Sequence, residues 1–339
     1  MLSTKYIFRV AKATRKEYIM KKLVALILTL VVLATSCLAF ASCGNKNTNA
    51  KYKVGVCQLV QHPALDQATE GFIKALKDEL GDDVAIEVQN ASNDMNLCSS
   101  IIGNFVVKNV DLIMANATPV LQTASNATKN IPILGTSITE YGVALETTLN
   151  NGVVGGNISG TSDLAPLDQQ ADMILEFMPN VKKVGIVYCS SEANSKYQVE
   201  VVKAHLEGKG VSVVEYSFSD ANDISAVLTT AAENCEALYV PTDNTAATCA
   251  QVIGSIAREY RIPVFAGEEN VARECGVASL TISYYDLGYT TGKMAAKILK
   301  GEAKVSEMPI EYATPTKKYN KTMCELLGFE VPQGYEEIK

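Results

Sequence analysis

Runs of apolar residues alternate along this chain with segments of helical periodicity. Lys53–Val60 reads as a buried strand, and Gln61-His62-Pro63 breaks it. Leu65–Leu80 places Leu65, Ala68, Phe72, Ala75, Leu76 and Leu80 on one helical face, and Gly81 ends it. Val84–Val88 alternates as a second strand, Met95–Lys108 reads as a second helix, and Asp111–Ala115 as a third strand. Asn116-Ala117-Thr118-Pro119 then opens a helix running to Thr128, with Pro119 suited to its first turn. Ile131–Ser137 is a fourth strand and turn. This cadence predicts a parallel sheet covered by helices on both faces.

The cadence then starts again. Val181–Tyr188 echoes Tyr52–Val56, Val199–Leu206 takes the place of the first helix, and Val211–Val214 that of the second strand. Ile224–Ala232 is the second helix. Ala237–Val240, the polar turn Pro241–Thr245 and the helix from Ala246 match Leu112–Pro119, and Ile262–Gly267 matches Ile131–Gly135. The offset is about 130 residues throughout, so one α/β unit occurs twice in the same order. The Gly-rich Gly152–Asp163 between the halves reads as a crossing strand or hinge. Beyond Leu280, a helix over Asp286–Lys300 and an extended piece at Met308–Tyr312 belong to neither unit in order, which fits a chain that crosses between lobes more than once.

The first 43 residues stand outside this pattern. Met20-Lys21-Lys22, an uncharged apolar run to about Phe40, and Ala41-Ser42-Cys43 have the form of a secretory signal, with Met20 the expected start. The small-small-Cys ending resembles a bacterial lipobox and makes Cys43 the expected lipidation site, ahead of Cys37, which lies inside the apolar run. Residues 44–50 read as a polar linker. Removing residues 1–43, with seven basic side chains and one acidic, takes the formal charge from −7 to −13. So acidic a body argues against nucleic acid and against attraction to anionic lipid, leaving membrane contact to the lipid anchor. The seven cysteines after Cys43 are scattered and odd in number, and buried thiols are the expectation, with one disulfide left open. Only two histidines, His62 and His205, are present, and neither has a partner at ligand spacing, so no metal is expected.

The chemistry to be expected follows from the paired turns. In such sheets ligands bind at strand carboxyl ends, beside helix N-termini whose free N–H groups favour negative charge. Thr118 on the first turn suits a carboxylate, and Asn194 and Ser195, opening a helix in the second half, suit the same group. Asp243 adds an anion on the second turn, with Asn244 or Thr245 as N-cap, and suits an ammonium. For each of these residues the competing reading is a plain helix cap. His62 and Pro63 follow the first strand and offer flat faces for packing, and Glu268 follows the strand ending at Gly267. No nucleophile–base set, phosphate loop or dinucleotide fingerprint appears, so binding is favoured over catalysis and no cofactor is expected.

Several spans together resemble the ABC-transporter substrate-binding lipoproteins of the tryptophan/tyrosine type. They are Gln61–Asp66, Asn116–Pro119, Glu192-Ala193-Asn194-Ser195, Tyr239–Thr245 and Tyr284-Tyr285-Asp286-Leu287-Gly288. The resemblance implies the type I periplasmic-binding fold: two similar doubly wound parallel-sheet lobes joined by a three-strand hinge. It implies crossings at 156–163, 280–284 and 310–312. The lobes would be 51–158 plus 283–309, and 159–282 plus 310–339. Ala117, Thr136, Ser137, Glu192, Pro241, Thr242, Asn244 and Gly267 would join the cleft around an aromatic amino acid. Departures from the family occur at Asn116-Ala117, where Gly commonly precedes Thr-Pro, and at Thr136–Tyr141. Both bear on ligand identity, and a sugar, nucleoside or signalling molecule on the same fold is the alternative. The implied partners are an ABC permease and its ATPase subunits, with the protein itself a monomer. On this reading Asp243→Ala abolishes binding and leaves the melting temperature of the ligand-free protein nearly unchanged.

Overall fold

The computed structural model describes residues 50–339. The expected start at Met20, the signal, its processing site at Cys43 and linker residues 44–49 lie outside the described residues. The first half runs β1 (Tyr52–Gln58), α1 (Pro63–Leu80), β2 (Val84–Asn90), α2 (Met95–Val107), β3 (Leu112–Asn116), α3 (Thr118–Ala127), β4 (Ile133–Ile138), α4 (Tyr141–Leu145) and β5 (Ile158–Ser162). The second runs α5 (Leu167–Phe177), β6 (Lys183–Cys189), α6 (Ala193–Gly208), β7 (Ser212–Phe218), α7 (Ile224–Asn234), β8 (Ala237–Val240), α8 (Asn244–Thr248), α9 (Ala250–Tyr260), β9 (Val264–Ala266), α10 (Glu269–Glu274) and β10 (Ala278–Thr281). The tail adds α11 (Tyr284–Lys300), β11 (Glu311–Tyr312), β12 (Thr316–Tyr319), α12 (Lys321–Leu327) and β13 (Glu336–Glu337).

These strands form two sheets. The first has the order β11-β5-β4-β3-β1-β2, with every pairing parallel. The second has the order β13-β12-β10-β9-β8-β6-β7, parallel except where β12 meets β10. Each repeats the same inner order, as the sequence repeat requires. Strand β1 shows why its residues are almost all apolar. Val54 and Val56 pack with Phe72, Leu76 and Met294 on one side, while Cys57 joins Ile101, Phe105 and Val120 on the other. A strand buried on both faces has no polar side.

The tail helix α11 lies on α1 in the first lobe, and glycines set the approach. A Cβ at Gly288 would stand 1.9 Å from the Ala68 carbonyl oxygen, and one at Gly71 would stand 2.1 Å from that of Tyr285. The two backbones touch with no room for side chains between them.

The expected lobe limits need correction at two places. Ile158–Ser162 pairs with β4 and Glu311–Tyr312 pairs with β5, so the first sheet takes in residues placed beyond the 158/159 and 309/310 limits. The polar side chains there are satisfied inside that lobe: Ser159 Oγ donates to Met308 O at 3.0 Å, and the Thr161 and Thr291 hydroxyls are 2.8 Å apart. The chain therefore changes lobe just after each strand, beyond Ser162 and Tyr312. Among the described residues the cysteines are free thiols, all buried but Cys235, and no helix is long and apolar enough to cross a membrane.

Candidate functional site

The carboxyl ends of the two sheets face each other across a cavity. From the first lobe come His62 and Leu65 at the start of α1, Ser137 and Thr139 at the end of β4, and Asp163 just past β5. From the second come Asn194 on α6, Thr242, Asp243 and Asn244 around the start of α8, and Glu268 before α10. Tyr284, where α11 begins, closes one side. The lobes stand close together: His62 Nε2 is 3.5 Å from Asn244 Oδ1 across the gap, and α4 touches α6.

Asp243 sits at the heart of the second-lobe half, only 3 % exposed. It is the N-cap of α8, in place of the expected Asn244 or Thr245. Its Oδ1 accepts from Ala246 N–H at 2.8 Å, and its Oδ2 accepts from Cys189 N–H at 2.7 Å and Ser195 Oγ at 2.8 Å. All three donors belong to its own lobe. Burial, with the nearby charge of Glu192, pushes its carboxyl up to about 7, against the pull of these three donors. The Asp243 side chain therefore ties β6, α6 and α8 together and caps a helix, the competing reading that its sequence position allows.

Glu192 does similar work one layer back. Its Oε2 accepts from Asn194 Nδ2 and from both the backbone and side-chain nitrogens of Asn244, and its Oε1 from the backbone N–H and hydroxyl of Thr245. These bonds fix how Asn194 is turned. Its Nδ2 is held by Glu192 Oε2 and Thr242 O, so its Oδ1 is the free atom, an acceptor. The sequence reading gave Asn194 to a carboxylate, whereas the atom it offers suits a donor. Glu268 caps α10, accepting from Asn270 N–H and Val271 N–H at 2.8 and 2.9 Å.

Asp163 differs from these acids. It is 6 % exposed, and Tyr284 Oη donates to its Oδ2 at 2.9 Å, but Oδ1 has no hydrogen-bond partner. Burial pushes its carboxyl up to about 6, while the Tyr284 and Thr139 hydroxyls pull it down. The sequence placed Asp163 only at the end of a crossing segment. The available signal was a lone acid immediately after a run of small and β-branched residues (Ile158–Ser162), at a strand's carboxyl end.

Seven buried side-chain polar atoms among the described residues lack a hydrogen-bond partner, and four of them belong to this cavity: His62 Nδ1, Ser137 Oγ, Asp163 Oδ1 and Asn194 Oδ1. A fifth, Thr118 Oγ1, lies at the first turn of α3. Leaving such groups unpaired costs about 1–3 kcal/mol each, and four of the seven share this one lining. His62, 7 % exposed, is held neutral chiefly by burial, which lowers its pKa against the raising influence of Glu268 and Asn244. Ala117, before α3, has φ 94° and ψ 154°, a region nearly confined to glycine. Strain of this kind persists where the surroundings over-determine the backbone, here at the turn that presents Thr118.

Other expected site residues fall outside the cavity lining. Pro63 is exposed at the first position of α1. The Thr136 hydroxyl is 3.2 Å from that of Thr161 inside the first lobe, and Ser195 is engaged by Asp243. Ala117, Thr118, Glu192, Pro241 and Gly267 are buried behind the lining. Leu65, Thr139, Asp163 and Ala247 line it although no sequence signal singles them out, and so does Tyr284, at the end of the expected crossing 280–284.

Residues 53–333 match the family described as ABC transporter substrate binding protein. The tyrosine-binding protein of Clostridioides difficile (strain R20291) is 38% identical over 276 residues, covering 80% of this chain and 79% of that protein. The solved ABC domain from Streptococcus pneumoniae in complex with L-Trp is 33% identical, covers 86% of this chain and 100% of its own, and has a TM-score of 0.80. The ligand-free, open structure of a substrate binding protein with adhesive properties from Clostridium difficile is 38% identical, covers 85% of this chain and 99% of its own, and has a TM-score of 0.66. The more identical neighbour fits less well.

Proposed function

Because the chain belongs to the ABC transporter substrate-binding protein family, we infer that it captures an aromatic amino acid outside the cytoplasm and delivers it to an ABC permease. The observation that carries this reading is the set of unpaired buried polar atoms converging on the interlobe cavity. They divide by chemistry as a zwitterion requires. Asp163 Oδ1 and Asn194 Oδ1 are acceptors, suited to the α-ammonium. Ser137 Oγ and Thr118 Oγ1, beside the N-terminus of α3, are donors suited to the α-carboxylate. Leu65, Ala247 and the rings of His62 and Tyr284 offer surface to the aromatic side chain. Asp243, Glu192 and Glu268 hold the second-lobe turns in place. A ligand held between residues of both lobes reaches that place when they part, so the lobes open to load and close upon ligand contacts made to both.

The expected setting is the outer face of the cell membrane, with Cys43 carrying the lipid that anchors a monomeric receptor beside its permease. The small-residue approach to Cys43 and the acidic charge of the remaining chain support this. Isothermal titration against the twenty amino acids, with sugars and nucleosides as controls, tests the ligand class. Heat with one or more of Trp, Tyr and Phe is expected; silence with every amino acid, or binding of a sugar or nucleoside alone, overturns the reading.

A further inference from the structure

The charges around the cavity are one-sided. Three carboxylates line it, Asp163, Asp243 and Glu268, and no Lys or Arg does. Its one imidazole, His62, is buried and neutral. The oxygens of Asp243 are occupied by Ala246 N–H, Cys189 N–H and Ser195 Oγ, and those of Glu268 by the capping N–H groups of Asn270 and Val271, so the unanswered acceptors of the lining are Asp163 Oδ1 and Asn194 Oδ1. Both side chains are more than nine-tenths buried. On the other side the groups left for a ligand carboxylate are neutral hydroxyls, Ser137 Oγ and, behind the lining, Thr118 Oγ1.

The two ends of a zwitterion are therefore answered unequally. An ammonium meets a buried carboxylate through a charge-assisted hydrogen bond, the stronger kind. A buried unpaired charge costs far more than a buried unpaired hydroxyl, so the ammonium relieves the larger penalty. The ligand carboxylate gains hydrogen bonds to neutral donors but stands in the field of three acids, with no cation to offset them.

We propose that the ligand's ammonium is essential and its carboxylate dispensable, so that the cleft also binds primary aromatic amines lacking the carboxylate: tyramine, tryptamine or phenethylamine. The inference rests on the amino-acid reading above and extends its ligand class. It is tested with the purified protein by titrating three compounds that share one side chain: the amino acid that binds best among Tyr, Trp and Phe, its decarboxylated amine, and its des-amino acid. The amine is expected to bind within about tenfold of the amino acid and more tightly than the des-amino acid. An amine more than about tenfold weaker than the amino acid, or weaker than the des-amino acid, overturns the proposal and leaves the amino-acid receptor standing. Failure of amine and amino acid alike removes both. Asp163→Asn, with a melting curve to verify folding, is expected to weaken amine binding at least tenfold, and unchanged amine affinity in the folded variant overturns the proposal. Should that variant fail to fold, the three-ligand comparison on the unmodified protein decides alone.

Discussion

At the scale of single residues, the proposed reading exchanges the parts that two acids' sequence positions suggest. Asp243 stands in a conspicuous Pro-Thr-Asp-Asn-Thr turn, yet its oxygens bond to Ala246 N–H, Cys189 N–H and Ser195 Oγ. Removing it deletes a cap, worth about 1 kcal/mol, and orphans two buried donors at about 1–3 kcal/mol each. Thermal or urea denaturation of ligand-free Asp243→Ala is expected to show a loss of about 2–4 kcal/mol, after relief of the buried charge is allowed for. Unchanged stability together with lost binding would return Asp243 to the ligand role. The reversal has a physical cause. A carboxylate at a strand end is equally suited to a helix N-terminus and to an ammonium, and sequence carries no record of which donors surround it. Cys189 and Ser195 lie some fifty residues away, and their approach to Asp243 exists only in the fold. Asp163 was obscure for the converse reason: nothing in its neighbourhood announces a turn, and its exposure to the cavity depends on β5 joining the first sheet.

At the scale of elements, spacing and periodicity were legible for most segments on which burial imposes them, with helix α5 and strand β10 left out although both are buried. The parallel strands buried on both faces appear as unbroken apolar runs, and the repeat of about 130 residues appears as two sheets with the same inner order. Elements without a buried stripe escaped. Strand β12 is Thr-Lys-Lys-Tyr, half-buried and antiparallel to β10, and its polar residues gave no strand signal. Helix α6 begins at Ala193, ahead of the apolar periodicity that starts at Val199, because its first turn is fixed by Glu192 and Asp243 and by no apolar face. Helix α11 is held to α1 by the absence of side chains at Gly71 and Gly288. Gly288→Ala places a methyl group on the Ala68 carbonyl and is expected to destabilise the protein by about 3 kcal/mol, at the upper end for overpacking. A variant as stable as the parent would show that the helices separate without penalty.

At the scale of the whole molecule, closure over unpaired acids links binding to pH. The Asp163 carboxyl, raised to about 6 by burial, holds its proton more tightly in the closed protein than in the unfolded chain, where a carboxyl of this type titrates near ~3.9. The stability that follows from this is present in full below about pH 4 and is lost as pH rises through about 6. Asp163→Asn removes the ionisable group, so its stability relative to the parent should grow between pH 5 and pH 7.5. The growth over that window should be about 1.4 kcal/mol, roughly half of the about 3 kcal/mol that a shift of about two units at 1.36 kcal/mol each gives over the whole range from pH 3 upward. A difference independent of pH would contradict the buried, unpaired state of this group. A ligand ammonium supplies the missing charge, so in the parent protein aromatic amino-acid affinity should strengthen over the same pH range as Asp163 becomes ionised.

The most direct test of the account is the crystal structure of the protein with its bound amino acid. The account predicts the ligand between the lobes, with its ammonium within hydrogen-bond distance of Asp163 Oδ1 and Asn194 Oδ1, and its carboxylate toward Ser137 and the start of α3. An ammonium held by Asp243, with the bonds from Ala246 N–H, Cys189 N–H and Ser195 Oγ broken, would contradict it, as would a carboxylate turned toward Asp163.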